Sequence, residues 1–193
     1  MSKELKFIKA KDVASLIHNG ACVGIGGFIG TGVAEEIHIE IEKNFLETSL
    51  PKDLTIIYSG GVGDGKGKGL NHYAHEGLIK RAIGGHWGLV PKLQPLVVSN
   101  KIEAYNFPQG VIAQLLRDSA AGKPRTISQV GLETFVDPDF DGGKLNDITK
   151  DELVDKIIFD NKEYLAYKTQ NIDVAIIKGT EADEKRNILY NRT

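Results

Sequence analysis

The sequence is poor in several residue types, and each scarcity restricts what the chain can be. Its single cysteine, Cys22, allows no internal disulfide, so we expect a reducing, cytoplasmic location. The 24 Lys and Arg do not exceed the 26 Asp and Glu, which leaves no positive field for nucleic acid or an anionic membrane surface. No apolar run approaches the roughly 20 residues of a membrane span. The charged residues 1–6 do not resemble a secretory leader.

Glycine, in contrast, is abundant and clustered. The chain has 22 glycines, concentrated in residues 24–32 and 60–69. The first cluster follows an apolar run and precedes a predicted helix. Because glycine has no Cβ and adopts positive φ, N–H groups in such a turn can approach an anion. The first cluster is therefore a candidate ligand-binding segment.

Apolar periodicity predicts alternating helices and strands in one domain of 193 residues. The expected helices are residues 11–19, 33–46, 72–79 and 108–121. The expected strands are residues 21–28, 54–59 and 173–177, together with a hairpin of residues 156–159 and 163–167. Residues 137–146 are expected to be a long loop. This alternation favours an α/β fold with an open, mainly parallel sheet flanked by helices.

Several motifs along the chain resemble those of family I coenzyme A transferases. Asn19-Gly20, Gly26-Gly27-Phe28 and Gly32 match the start of the family's first half, whereas Gly24 and Ala34 depart from it. Further segments are similar to the propionate and acetate coenzyme A transferase branch: residues 69–78, 83–89, 106–110, 130–138, 141–146 and 172–180. The similarity runs over nearly the whole chain.

The resemblance implies acyl transfer between a coenzyme A thioester and a small carboxylate, with short acyl groups such as acetyl or propionyl. In the family, a glutamate carboxylate forms a glutamyl-CoA thioester in a ping-pong cycle. That glutamate lies in a Ser-Glu-Asn-Gly type motif of the second half, which this sequence does not contain. The resemblance therefore implies no catalytic residue here and no permanently bound cofactor.

Residues 1–193 are accordingly expected to form the N-terminal (α) domain, truncated at its C-terminus, with Arg186 where the family has a glycine. The expected partners are the missing C-terminal (β) half or subunit and further copies of the chain. The chain alone is expected to be inactive.

The resemblance also assigns substrate-binding positions. Gly26, Gly27 and Phe28 are expected beside the acyl thioester or the carboxylate, and the further matching segments favour this role over the alternative of a tight strand-to-helix turn. Asn106, Gln109 and Gly110 match the family's site by position. A glutamine at a helix N-terminus can bind a carboxylate or merely cap the helix, and both interpretations stay open.

Other candidate sites are weaker. Residues 60–69 contain Lys66 and Lys68, but Gly67 replaces the Ser or Thr of a phosphate-binding P-loop, so a mobile loop is favoured. His72 and His75 have helical spacing without a third clustered ligand, so no metal site is expected. The aromatic residues near the expected cleft line an acyl pocket or pack in the core: Trp87, Tyr105 and Phe107.

Two alternative functions remain open from the sequence. A doubly wound nucleotide-binding module needs an acidic ribose-binding residue after its second strand, where this chain has Ser59-Gly60-Gly61. A non-catalytic fragment or assembly partner is compatible with the missing nucleophile.

Overall fold

A computed structural model describes residues 6–185 and 187–190 of the chain. Two sequence expectations lie outside these residues in whole or in part. They are the absence of a secretory leader in residues 1–6, of which only Lys6 is described, and the replacement of a family glycine by Arg186. No helix among the described residues has the length and hydropathy needed to cross a membrane.

The centre of the fold is a parallel sheet of five strands in the order β4-β3-β2-β1-β8. Its strands are β1 Cys22–Ile25, β2 Leu54–Tyr58, β3 Ile79–Gly84, β4 Glu103–Asn106 and β8 Val174–Ile176. The order reverses at β1, since β2 lies on one side of it and β8 on the other.

Helices and smaller sheets surround these strands. The helices are α1 Glu35–Thr48, α2 Gln94–Val98 and α3 Gln109–Ala120, with 3-10 turns at Ala10–Asp12, Ala14–Leu16 and Gly69–Tyr73. A second, antiparallel sheet has the order β5-β7-β6 and consists of β5 Arg125–Ser128, β6 Val154–Phe159 and β7 Lys162–Lys168. The pair β9 Glu181–Ala182 and β10 Ile188–Leu189 follows β8.

The parallel sheet separates two hydrophobic cores. Ile56 packs with Ile41 of α1 in one core, and the next residue, Ile57, packs with Ile112 of α3 in the other. Successive side chains of a strand point to opposite faces. The predicted α/β architecture, with helices on both faces of a parallel sheet, is thus confirmed.

Several predicted elements differ from the structure. In place of the helix predicted at residues 11–19 the chain forms 3-10 turns at Ala10–Asp12 and Ala14–Leu16, because the Ser15 hydroxyl donates to the Asp12 carbonyl oxygen at 2.7 Å and competes with helical pairing. Residues 72–79 are not a helix either, since Gly77 has φ +91° and reverses the chain. The strand predicted at residues 173–177 is confirmed, but Ala175 is exposed because β8 lies at the sheet edge.

Cys22 lies within β1 and is buried, as its apolar surroundings suggest. Burial and the neighbouring Asp173 carboxylate raise the pKa of its thiol to about 11. Since only the thiolate reacts with disulfide reagents, we expect the folded chain to be almost unreactive toward Ellman's reagent at pH 8. Unfolding in guanidinium should release one rapidly reacting thiol, and fast labelling of the folded chain would contradict this environment.

Candidate functional site

The predicted substrate-binding residues gather at the carboxyl edge of the parallel sheet. Gly26-Gly27-Phe28 follows β1, Asn106 ends β4, and Gln109 and Gly110 begin α3. Ligands of open α/β sheets bind at this edge. Two strands separate β1 from β4, which corresponds to about 14 Å at the usual strand spacing. The structure therefore brings the two groups to one edge, as two subsites rather than one contact cluster.

In the glycine turn after β1, most of the backbone N–H groups already donate hydrogen bonds to carbonyl groups of the protein. Gly26 N–H donates to the Ile176 carbonyl at 2.9 Å, and Phe28 and Thr31 exchange two backbone hydrogen bonds of 2.9 Å. Gly27 has φ +127°, and a Cβ there would lie 2.9 Å from a Val33 methyl carbon. Its N–H has no partner among the described residues. Gly27 is thus the one position of the three with a backbone donor left for a ligand.

Phe28 forms a wall beside this turn. Its side chain is 57% exposed, and its ring lies so close to Gly60 that a Cβ there would be 2.8 Å from Cδ2. The turn is also tied to the loop after β2, since Ile29 N–H donates to the Gly61 carbonyl at 2.7 Å. Exposed aromatic surface at a sheet edge is suited to contact with an apolar ligand or another protein segment.

The backbone N–H groups of the loop of residues 60–69 bind a carboxylate of the same loop. Asp64 Oδ1 accepts hydrogen bonds from the N–H groups of Lys66, Gly67 and Lys68 at 2.8–3.0 Å. These bonds lower the pKa of the Asp64 carboxyl to about 2. A backbone cradle occupied by a carboxylate is not free for a phosphate, so the geometry argues against the phosphate-binding alternative.

Gln109 sits at the N-terminus of α3 and lies over Gly85. A Cβ on Gly85 would be 2.1 Å from the Ser59 carbonyl oxygen and 2.8 Å from Gln109 Cγ. The helix begins after Pro108 without a side-chain cap, which leaves its first N–H groups available. Gln109 is exposed, and nothing lies within 4 Å of a Cβ built on Gly110. This helix start can accept an anionic group.

Asn106 is half-buried at the end of β4. Its N–H donates to the Gly143 carbonyl at 2.8 Å. Its side-chain Oδ1 is buried without a hydrogen-bond partner among the described residues. Buried polar atoms are rarely left unpaired, so this oxygen calls for an explanation.

His72 and His75 bind carboxylates of α1. His72 lies between Glu35 Oε1, 2.9 Å from its Nε2, and Glu42 Oε2, 2.5 Å from its Nδ1, while His75 Nε2 is 2.7 Å from Glu42 Oε1. The described residues contain no group of three or more side chains arranged to hold a metal ion. We name these four residues, Glu35, Glu42, His72 and His75, the imidazole–carboxylate network. Sequence reasoning missed its acidic half.

The aromatic candidates divide between core and site. Tyr105 and Phe107 are fully buried in the core on the α3 side, so they do not line the carboxyl edge of the sheet. Trp87 is half-buried and packs edge-on against Tyr58 with ring centroids 6.0 Å apart.

An apolar cavity of about 410 Å³ lies between α3, β1 and β8 and reaches the site at Gly26. Gly24 lies on its floor, where a Cβ would be 3.5 Å from an Ile172 methyl carbon. The glycine that departs from the family's apolar pattern therefore leaves this space open.

Comparison with known proteins shows to which family the chain belongs. The model of the coenzyme A transferase family matches residues 7–193. The chain belongs to the coenzyme A transferase family. The caffeate CoA-transferase of Acetobacterium woodii is 42% identical over 185 residues, which are 96% of this chain and 35% of that protein. The acetate CoA-transferase YdiF of Escherichia coli K12 is 41% identical over 180 residues, 92% of this chain and 34% of that protein.

The fold agrees with this assignment. The crystal structure of the acyl-CoA transferase YdiF apoenzyme from Escherichia coli O157:H7 superposes with a TM-score of 0.89 at 40% identity, over 93% of this chain and 35% of that one. The chain thus spans about a third of the length of these relatives. It covers 77% of a 27% identical relative, the acetoacetyl-CoA:acetate/butyrate CoA transferase alpha subunit of Clostridium acetobutylicum. The nucleotide-binding alternative receives no support from these comparisons.

Proposed function

We propose that residues 1–193 form the N-terminal (α) domain of an acyl-CoA:carboxylate coenzyme A transferase that acts on short acyl groups. The family membership and the names of the relatives support transfer of coenzyme A between carboxylates. The observation that carries the proposal is that the glycine turn and the uncapped start of α3 both lie at the carboxyl edge of the parallel sheet. In this proposal the coenzyme A thioester is a substrate and not a bound cofactor.

The reaction proceeds through a glutamate outside this chain. Its carboxylate attacks the thioester carbonyl carbon, the C–S bond breaks, and coenzyme A leaves as a thiolate, so that the acyl group and the glutamate remain joined as a mixed anhydride. The thiolate then attacks the glutamyl carbonyl, which releases the first carboxylate and leaves a glutamyl-CoA thioester. The acceptor carboxylate reverses these steps. Each attack creates an oxyanion that backbone and amide donors stabilise.

The two subsites of this chain serve different parts of that reaction. The free N–H of Gly27 donates toward the acyl oxygen, with Gly26 and Phe28 shaping the wall beside it. Asn106, Gln109 and the backbone at Gly110 bind the substrate carboxylate at the positive end of α3. These roles follow from donor availability and from position at the edge.

The contacts of Glu35, a glutamate beside the glycine turn, support placing the nucleophile outside this chain. Glu35 lies close to the glycine turn, since it lines a cavity with Ile29 and Gly30. Its Oε2 accepts from Gly69 N–H at 2.8 Å, and its Oε1 is held by His72. A carboxylate with both oxygens engaged is a poor nucleophile, so its role is structural.

The proposal includes a partner that contributes the nucleophile, either as the C-terminal half of a longer polypeptide or as a β subunit. The relative named an alpha subunit supports the second arrangement. Self-association of the domain and a cytoplasmic location are further parts of the proposal. A non-catalytic assembly partner is the alternative that the same geometry allows.

The test is acyl exchange from acetyl-CoA to propionate, followed as propionyl-CoA by liquid chromatography. We expect no product from this chain alone and transfer when it is co-expressed with the part of YdiF beyond the region that this chain matches. Transfer by the chain alone would contradict an external nucleophile. Saturable NADH binding would instead favour the nucleotide-binding alternative.

A matched pair on α3 tests the carboxylate subsite in the same assay. Gln109→Ala should lower transfer by the assembled enzyme about tenfold, because it removes a donor to a charged group. Gln114→Ala changes an exposed glutamine of the same helix and should have little effect. Equal rates for both variants would remove Gln109 from the site.

A further inference from the structure

Tyr58, Gly84 and Asn106 form one row across the carboxyl end of the sheet. In the parallel pairing, Tyr58 is opposite Gly84 and Gly84 is opposite Asn106. Residues in register on neighbouring strands present their side chains to the same face. The side chains of Tyr58 and Asn106 therefore lie on one face with only a glycine between them.

The Tyr58 ring fills the space above Gly84. A Cβ on Gly84 would be 2.4 Å from both Cζ and the hydroxyl oxygen of Tyr58. The ring thus lies across Gly84, and its phenolic end lies over the strand next to Asn106. Trp87 packs edge-on against the same ring and restricts its movement.

The polar atoms of this row are complementary. Tyr58 is fully buried, and its hydroxyl has no hydrogen-bond partner among the described residues, as is true of Asn106 Oδ1. Burial raises the pKa of the Tyr58 hydroxyl far above its ordinary value, so the hydroxyl keeps its proton and is a donor. Asn106 Oδ1 is an acceptor. The row thus has an unpaired donor and an unpaired acceptor on one face, and Trp87 Nε1 is a further buried donor without a partner beside the Tyr58 ring.

We propose that Tyr58 is the positioning residue of Asn106. Its hydroxyl donates to one internal water, which in turn donates to Asn106 Oδ1 across Gly84, and this turns the Nδ2 group outward to the carboxyl edge. Buried waters typically pair groups of this kind. Fixing the amide in this orientation gives the site a preorganised N–H donor for a carboxylate or an oxyanion. This inference rests on the proposed function only in naming what Asn106 binds.

The test uses the 193-residue chain and needs no activity. In a ¹⁵N-labelled chain, the Asn106 side-chain amide pair is assigned by its loss in Asn106→Ala. Tyr58→Phe should shift this pair and lower Tm by about 2–6 °C, because it leaves a buried acceptor without a donor. Tyr164→Phe is the matched control, since no hydrogen bond involves that hydroxyl among the described residues, and it should leave both readouts unchanged.

A second comparison separates pairing from a general loss of packing. In the Asn106→Ala background, Tyr58→Phe should no longer lower Tm, because its acceptor is already absent. If the two groups are truly unpaired, Tyr58→Phe removes an unsatisfied hydroxyl, Tm stays equal or rises, and the Asn106 resonances stay in place. That result overturns the inference and leaves the proposed transferase function untouched, since no transfer is measured.

Discussion

Gly85→Ala should destabilise the domain by about 3 kcal/mol and lower Tm by about 6–12 °C. The added Cβ would lie 2.1 Å from the Ser59 carbonyl oxygen and 3.1 Å from the Gln109 Cα. Both are backbone atoms at the ends of packed elements, so neither can rotate away. Relief requires that β3 separate from β2 or that the start of α3 move outward. Thermal unfolding followed by circular dichroism measures the effect.

Gly110→Ala is the matched control at the same edge. A Cβ at that helical position meets no atom within 4 Å, and alanine favours helix over glycine. We expect it to raise stability by about 0.5–1 kcal/mol. If Gly85→Ala unfolds at the same temperature as the unchanged chain, then Gln109 does not pack over Gly85, and the carboxylate subsite has a different shape.

The sequence predicts the long helices and the class of fold because their signals are local and repeated. Residues 33–46 have apolar residues at helical spacing, and α1 forms at Glu35–Thr48. Strands β3 and β4 escaped prediction for physical reasons. Arg81 interrupts the apolar run of β3, yet it is satisfied by ion pairs with Glu103 and Asp151 that only the folded sheet brings near. Strand β4 has just four residues.

The candidate site, like the fold, could be predicted from the sequence only in part. The resemblance to the family's motifs predicts the glycine turn and the start of α3 as substrate-binding positions, and the common direction of the parallel strands places both at the carboxyl edge. The row of Tyr58, Gly84 and Asn106 depends on register between strands, which no local pattern encodes. The imidazole–carboxylate network likewise joins α1 to a 3-10 turn about 30 residues away in sequence. Pairings of this kind require the tertiary structure.

Glu42→Gln should cost about 2 kcal/mol at pH 7, because it removes an acceptor of hydrogen bonds from two imidazoles. Each ring nitrogen of His72 lies within hydrogen-bond distance of a carboxylate oxygen of α1, one from Glu35 and one from Glu42. The network holds α1 against the 3-10 turn at Gly69–Tyr73. This turn follows the loop after β2, which is hydrogen-bonded to the glycine turn through Ile29 and Gly61. Urea unfolding at fixed pH measures the loss.

The control for this change is Glu40→Gln, which breaks only a surface pair with the exposed Lys43 and should cost less than about 0.5 kcal/mol. If the two variants lose equal stability at pH 7, the histidines are not held by Glu42.

The pH dependence of the loss follows from the Glu42 carboxyl. Burial alone would raise its pKa, but hydrogen bonds from His75 and His72 outweigh burial and lower it. A carboxyl with a depressed pKa in the folded state contributes stability that is complete above its unfolded pKa, about 4.3, and is lost as pH falls through the folded value. The stability difference between the unchanged chain and Glu42→Gln should therefore be constant from pH 7 to about pH 5 and then shrink with acidification. A difference that grows below pH 4 would contradict the depressed pKa of Glu42.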